Sequence, residues 1–140
     1  YERRVARRRA EEAGSSPYVG AEACEACHQG VYDRWQETNH ASAMGSLSAV
    51  GKQFDPHCVG CHTVGFGDPG GYLDPTLTDH LANVQCENCH GPGRAHVASG
   101  GQQATANRGK DREAICRQCH VPDHSPAFTL KAYWPRIAHP

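Results

Sequence analysis

The sequence predicts a mainly α, loop-rich fold with a few short helices and little or no sheet, whose own side chains supply only part of the core. Three observations predict it. The hydrophobic share is 38% with cysteine counted, and aromatic residues make up 7%, which is little for a globular interior. Fifteen glycines and nine prolines in 140 residues favour many turns over long regular elements. All eight cysteines fall into four pairs of one spacing, Cys24/Cys27, Cys58/Cys61, Cys86/Cys89 and Cys116/Cys119, and each pair is followed at once by a histidine: His28, His62, His90 and His120.

Cys-x-x-Cys pairs also build zinc sites, redox dithiols and structural disulfides. None of these needs a histidine at the next position every time. With ten histidines in the chain, four such coincidences have a chance of roughly 3 in 100,000. Cys-x-x-Cys-His is the attachment pattern of c-type haem. The two thiols form thioethers with the haem vinyl groups, and the adjacent histidine is held under the iron. The fold class is therefore a multihaem cytochrome, its few short helices packed around four covalently bound haems c. Four haems leave 35 residues for each, so porphyrin fills much of the core. Thioether attachment implies maturation outside the cytoplasm, which points to a periplasmic or extracellular location.

The elements follow in order. Residues 1–14, "YERRVARRRAEEAG", are a charged helix candidate with five arginines and a glycine stop, and residues 15–20 read as a linker. Together, residues 1–20 form a charged arm ahead of a tetrahaem domain spanning 21–140. The arm reads first as a solvated terminus and second as a docking arm for an acidic partner. Residues 21–49 should be the main helical region, with Val31, Trp35 and Met44 among its apolar positions. Residues 51–80 should be mostly loop around the second haem. Residues 97–111 read as an exposed loop, and a short helix should lead into Cys116. The motifs are spaced 34, 28 and 30 residues apart, too unevenly for a solenoid.

Composition also narrows the function. A formal charge of −1 disfavours nucleic acid as a partner. No apolar run approaches membrane-spanning length, and no signal-peptide core follows Tyr1. A start at Tyr reads as a processed or trimmed chain.

Six histidines lie outside the motifs: His40, His57, His80, His96, His124 and His139. Met44 is the one methionine, so the supply of distal ligands favours His/His ligation. A continuous helix would carry His40 about 18 Å past His28, too far to cap its own haem, so His40 should serve another. His96 follows the Gly91-Pro92-Gly93 hinge and should also swing to a neighbouring haem. His139, nineteen residues past His120, has chain enough to wrap round its own haem. His124 is cramped for that task and reads as a surface residue. For the haem of His62, His57 is badly placed and His80 is the better distal candidate, though it also fits as a loop histidine. Without His80, that iron is five-coordinate and open to a small molecule.

"CEACH…W…TNHASAM", "CVGCHTVGFGDPGGY", "NVQCENCHGPGRAH" and "CRQCHVPDHSP" together resemble the tetrahaem cytochrome c554 family, over about residues 20–140. The resemblance implies a periplasmic electron carrier with haems in parallel and perpendicular pairs, an arrangement that recurs in hydroxylamine oxidoreductase and pentahaem nitrite reductase. It further implies His96 as distal ligand of the first haem, His40 of the third and His139 of the fourth, with the second haem, at His62, open. The chain departs from the pattern in carrying His57 and His80.

Three functions follow. The first is an electron carrier with redox-protein partners and no catalytic residues. The second is a subunit of a conductive filament or larger multihaem complex, with ligands or arms shared between copies. The third is a nitrogen-oxide-converting enzyme working at an open haem on His62. The carrier accounts for most of the residues, and no convincing cluster of acid and base side chains supports the enzyme.

Overall fold

The computed structural model describes residues 3–4 and 14–140, so most of the predicted N-terminal helix lies outside the described residues. The order is α1 (Glu22–Gln36), a 3-10 turn (Asn39–Ser42), α2 (Ala43–Ser48), α3 (Pro56–His62), a second 3-10 turn (Asp79–Leu81), α4 (Cys86–His90), α5 (Arg94–Ala98), α6 (Arg112–Arg117) and α7 (Leu130–Ile137). Among the described residues the extended pairing is one isolated antiparallel bridge, Thr63 with Ala82. The mainly helical, loop-rich expectation holds.

Local chemistry sets the boundaries. The predicted helix over 21–49 breaks after Gln36, and α1 itself kinks at His28, whose φ −127° and ψ 42° are not helical. The motif's own histidine is thus where the first helix bends. Asp55 caps α3, accepting the amide of His57, and Pro56 takes the first position, where its missing N–H costs nothing. Asp111 caps α6 through Ala114, and Thr129 caps α7 through Ala132. Gln85 and Asn88 form a reciprocal box at the start of α4, and Gly91 ends it at φ +81°, which glycine adopts freely.

The side-chain core is small: Tyr18, Val64, Tyr72 and Leu81, with Met44 and Ala82 packed against it. It lies where residues 63–82 fold back on the N-terminal linker. Val64 donates to the Leu81 carbonyl and Tyr72 to that of Val64. Gly65 is needed here, at φ +65°, because a Cβ would sit 2.5 Å from the Tyr18 ring. The linker is therefore part of the domain. Ser16 Oγ donates to the Gly70 carbonyl, and the Tyr18 hydroxyl to Asp68 at 2.7 Å.

Candidate haem-binding site

The four motifs sit on or beside short helices: α1 holds Cys24, Cys27 and His28; α3 holds Cys58, Cys61 and His62; α4 holds Cys86, Cys89 and His90. α6 holds Cys116, and the turn after it holds Cys119 and His120. All eight cysteines are free thiols. Among the described residues, no group of three or more His, Cys, Asp or Glu side chains is arranged around a bare metal ion.

Three of the motif histidines face a second histidine. Ring centroids are 6.4 Å apart for His28 and His96, 6.2 Å for His40 and His120, and 5.9 Å for His90 and His139. Two imidazoles on opposite sides of one metal, each bonded at about 2.0 Å, place their centroids about 6.2 Å apart. The residues present thus fit iron held between paired imidazoles. Burial, reinforced by the neighbouring His120, lowers the pKa of His40. Burial, then the surrounding histidines, does the same for His90, and burial, then Arg117, for His120. A lowered pKa keeps the ring neutral, the state a metal ligand needs.

Hydrogen bonds aim the rings. Nδ1–H of His62 donates to the Ala43 carbonyl at 2.7 Å, that of His96 to Gln103 at 2.7 Å, and that of His139 to Ile137 at 3.1 Å. A carbonyl only accepts, so each bond fixes the proton on Nδ1 and presents Nε2. His120 Nδ1 meets Ser125 Oγ at 2.9 Å, and its ring stacks on Phe128 at 4.5 Å, with Tyr133 edge-on at 5.6 Å. Guanidinium groups cover this aromatic wall: Arg112 over Trp134, Arg117 over Phe128 and Arg136 over Tyr133.

The ring pairs differ from those the resemblance implies at two motifs. His96 does face His28. His40, however, faces His120 rather than His90, and His139 faces His90 rather than His120. The reason is that α7 lies across the His120 site, with Tyr133 against that ring, and carries the chain end on to the third motif.

Among the described residues no histidine ring pairs with His62 in this way. A cavity of about 1240 Å³ opens between α2, α3, α6 and α7, with His40, His57, His62, His120 and His124 in its lining. That exceeds the roughly 300–1,000 Å³ of an ordinary small-molecule pocket. His80 is elsewhere. It sits on the second 3-10 turn, its carbonyl accepting from Gln85 Nε2 at 2.8 Å, and its ring lies by Gly20 at the start of α1. His57 and His124 are both exposed.

Thiols of different motifs also meet. Cys24 lies beside Cys86, and Cys61 beside Cys119, with Cys61 Sγ 3.8 Å from the Gln118 carbonyl. Cys89 is pushed up to about 11 by burial, with Cys116 and Cys86 adding to the shift. The neighbouring Cys86 raises Cys24, while burial and the neighbouring Cys61 raise Cys119. These neighbours set the first motif beside the third and the second beside the fourth.

Sequence reasoning missed the residues between the third pair of cysteines. Glu87 is buried at 5% exposure. Asn88 Nδ2 donates to the Thr63 carbonyl, and Gln85 Oε1 accepts the amide of Ala21. The available signal was the polar run Gln85–Glu87–Asn88 around a motif helix, which reads as a capping pattern.

The family described as "Cytochrome c554 and c-prime" matches residues 23–91. Cytochrome c-554 of Nitrosomonas europaea is 34% identical over 140 aligned residues, which cover 78% of this chain and 60% of that protein. The chain thus spans about three-fifths of that relative's length. The solved structure of reduced cytochrome c554 from Nitrosomonas europaea matches with a TM-score of 0.59 and 27% identity, over 89% of this chain and 79% of that one.

Proposed function

We propose that the chain, similar to cytochrome c554 in sequence and fold, belongs to that family and is a tetrahaem electron carrier working outside the cytoplasmic membrane. The observation that carries this reading is the set of three histidine pairs at 5.9–6.4 Å, each joining a Cys-x-x-Cys-His motif to a histidine distant in sequence.

Each c-type haem supplies a one-electron ferric–ferrous couple. The chain's residues do the rest. Cys24, Cys27, Cys58, Cys61, Cys86, Cys89, Cys116 and Cys119 attach the four groups. His28, His62, His90 and His120 ligate from the motif side, and His96, His139 and His40 close the first, third and fourth sites. The Nδ1 bonds to backbone carbonyls hold these rings still, so little rearranges when the iron changes charge. The neighbouring cysteines bring the attachment edge of the first site beside the third, and that of the second beside the fourth. His62 lines the large cavity, and we assign no distal protein ligand there, the His80 ring lying by Gly20.

Partners are redox proteins. The thioether chemistry places the protein in the periplasm or at the cell exterior. No helix among the described residues is long and apolar enough to cross a membrane. Assembly into a filament and turnover of nitrogen oxides are secondary readings, and the first test separates them. Four haems by mass, three of them low-spin and one high-spin in the oxidised monomer, with full reversible reduction, are expected. Absence of covalent haem would end the carrier reading. Catalytic consumption of nitric oxide or hydroxylamine would replace it with the enzyme, and spontaneous fibres in negative-stain images with the filament.

A further inference from the structure

Glu87 lies between the two cysteines of the third motif, yet its carboxylate serves the first. Oε1 accepts from the amides of Gly93 at 2.7 Å and Val19 at 3.0 Å; Oε2 accepts from Gly20 at 2.9 Å and Val19 at 3.2 Å. Val19 and Gly20 lead into α1 and the first motif. Gly93 leads into α5 and His96, the ring that faces His28. Both oxygens face N–H donors, which is the pattern of a carboxylate and leaves no acceptor for a carboxyl proton. A buried carboxylate therefore stands at the junction of the first and third sites, held by the backbone of Val19, Gly20 and Gly93.

We propose that Glu87 is a positioning residue whose fixed charge lowers the reduction potentials of the haems held at His28 and His90. The proposal rests on the tetrahaem carrier reading. One-electron reduction adds an electron to iron, with no bond made or broken, and lowers the site's charge by one. A nearby negative charge in a medium of low polarity opposes that change and favours the ferric state. Its influence falls with distance, so the sites at His120 and His62, whose flanking amides Glu87 does not hold, should feel it least.

The test is a spectroelectrochemical titration of the haem-loaded protein, with dithionite as reductant and haem counted by mass beforehand. Wild type, E87Q and E87D are compared. In E87Q, two of the four components should rise by at least tenfold in their reduction constants, about 59 mV for one electron. The other two should stay within twofold, and E87D should stay near wild type. The proposal is overturned if all four E87Q components stay within twofold, if all four rise together, or if E87D and E87Q shift alike. It is equally overturned if neither variant loads four haems, because Glu87 is then a structural anchor only. A wild type without haem instead removes the carrier reading itself.

Discussion

His90 and His139 face each other with ring centroids 5.9 Å apart and planes at 51°, so the chain's last turn closes the third motif rather than the fourth. The eight residues of α7 advance the chain by about 12 Å, past the His120 ring, before His139 is reached. His40 then takes the place facing His120. Two histidines nearly a hundred residues apart thereby depend on the same short helix.

Removing either one should open a different iron. H139A and H40A are each expected to convert one low-spin haem into a high-spin haem that binds carbon monoxide when reduced. The double variant should convert two. Phe128→Leu alters the wall stacked 4.5 Å from His120. It should therefore shift the carbon monoxide stretching frequency of the H40A site and leave that of the H139A site in place. A shift in the H139A background instead would restore the pairing that the family resemblance implied.

The wild-type protein should bind one carbon monoxide per chain, at the iron of His62, and H80A should bind it with the same stoichiometry and affinity. His80 has its ring by Gly20 and its carbonyl held by Gln85, so its imidazole has no part in that site. No carbon monoxide bound by the wild type and one bound by H80A, seen by optical titration, would make His80 the ligand of that iron after all.

How much of this was legible depends on what kind of information each feature carries. The motif cysteines and histidines are local, so four exact repeats named the cofactor and the mainly helical, loop-rich fold. The distal histidines are a matching problem. The ring facing His28 is the one the resemblance implies, whereas the rings facing His40 and His139 depend on where α7 crosses, and periodicity does not encode that. The helical region over 21–49 is there in three pieces, and its kink at His28 comes from the attachment motif, not from a breaker residue. The linker at 15–20 was under-read, because its role comes from backbone amides. Val19, Gly20 and Ala21 donate to Glu87 and Gln85, and amides leave no trace in composition.

Leu81 is fully buried in a side-chain core of four residues. Leu81→Ala should destabilise the haem-loaded protein by about 2–5 kcal/mol, since so small a cluster has few neighbours able to close the cavity. The denaturant midpoint followed by circular dichroism should fall accordingly. Haem content should be unchanged, because the cluster contains no motif cysteine and no histidine. An unchanged midpoint would mean that the porphyrin-filled part of the domain alone sets stability.

Tyr18 gives a stability signal with a definite sign. Burial, then its hydrogen bond to Asp68 and the charges of Asp68 and Glu87, push its hydroxyl up to about 12. The folded pKa thus lies above the ordinary value near 10 of an unfolded tyrosine. The neutral phenol is the form the fold favours, so its contribution is complete below about pH 10 and is lost as pH rises toward 12. Wild-type protein should lose stability steeply through that window. Tyr18→Phe should start about 1 kcal/mol less stable at pH 8, from the lost hydrogen bond, and show a flatter alkaline limb. Denaturant midpoints taken every half unit from pH 8 to 12 would measure both. Parallel alkaline limbs in the two proteins would mean that another group, not Tyr18, governs the loss.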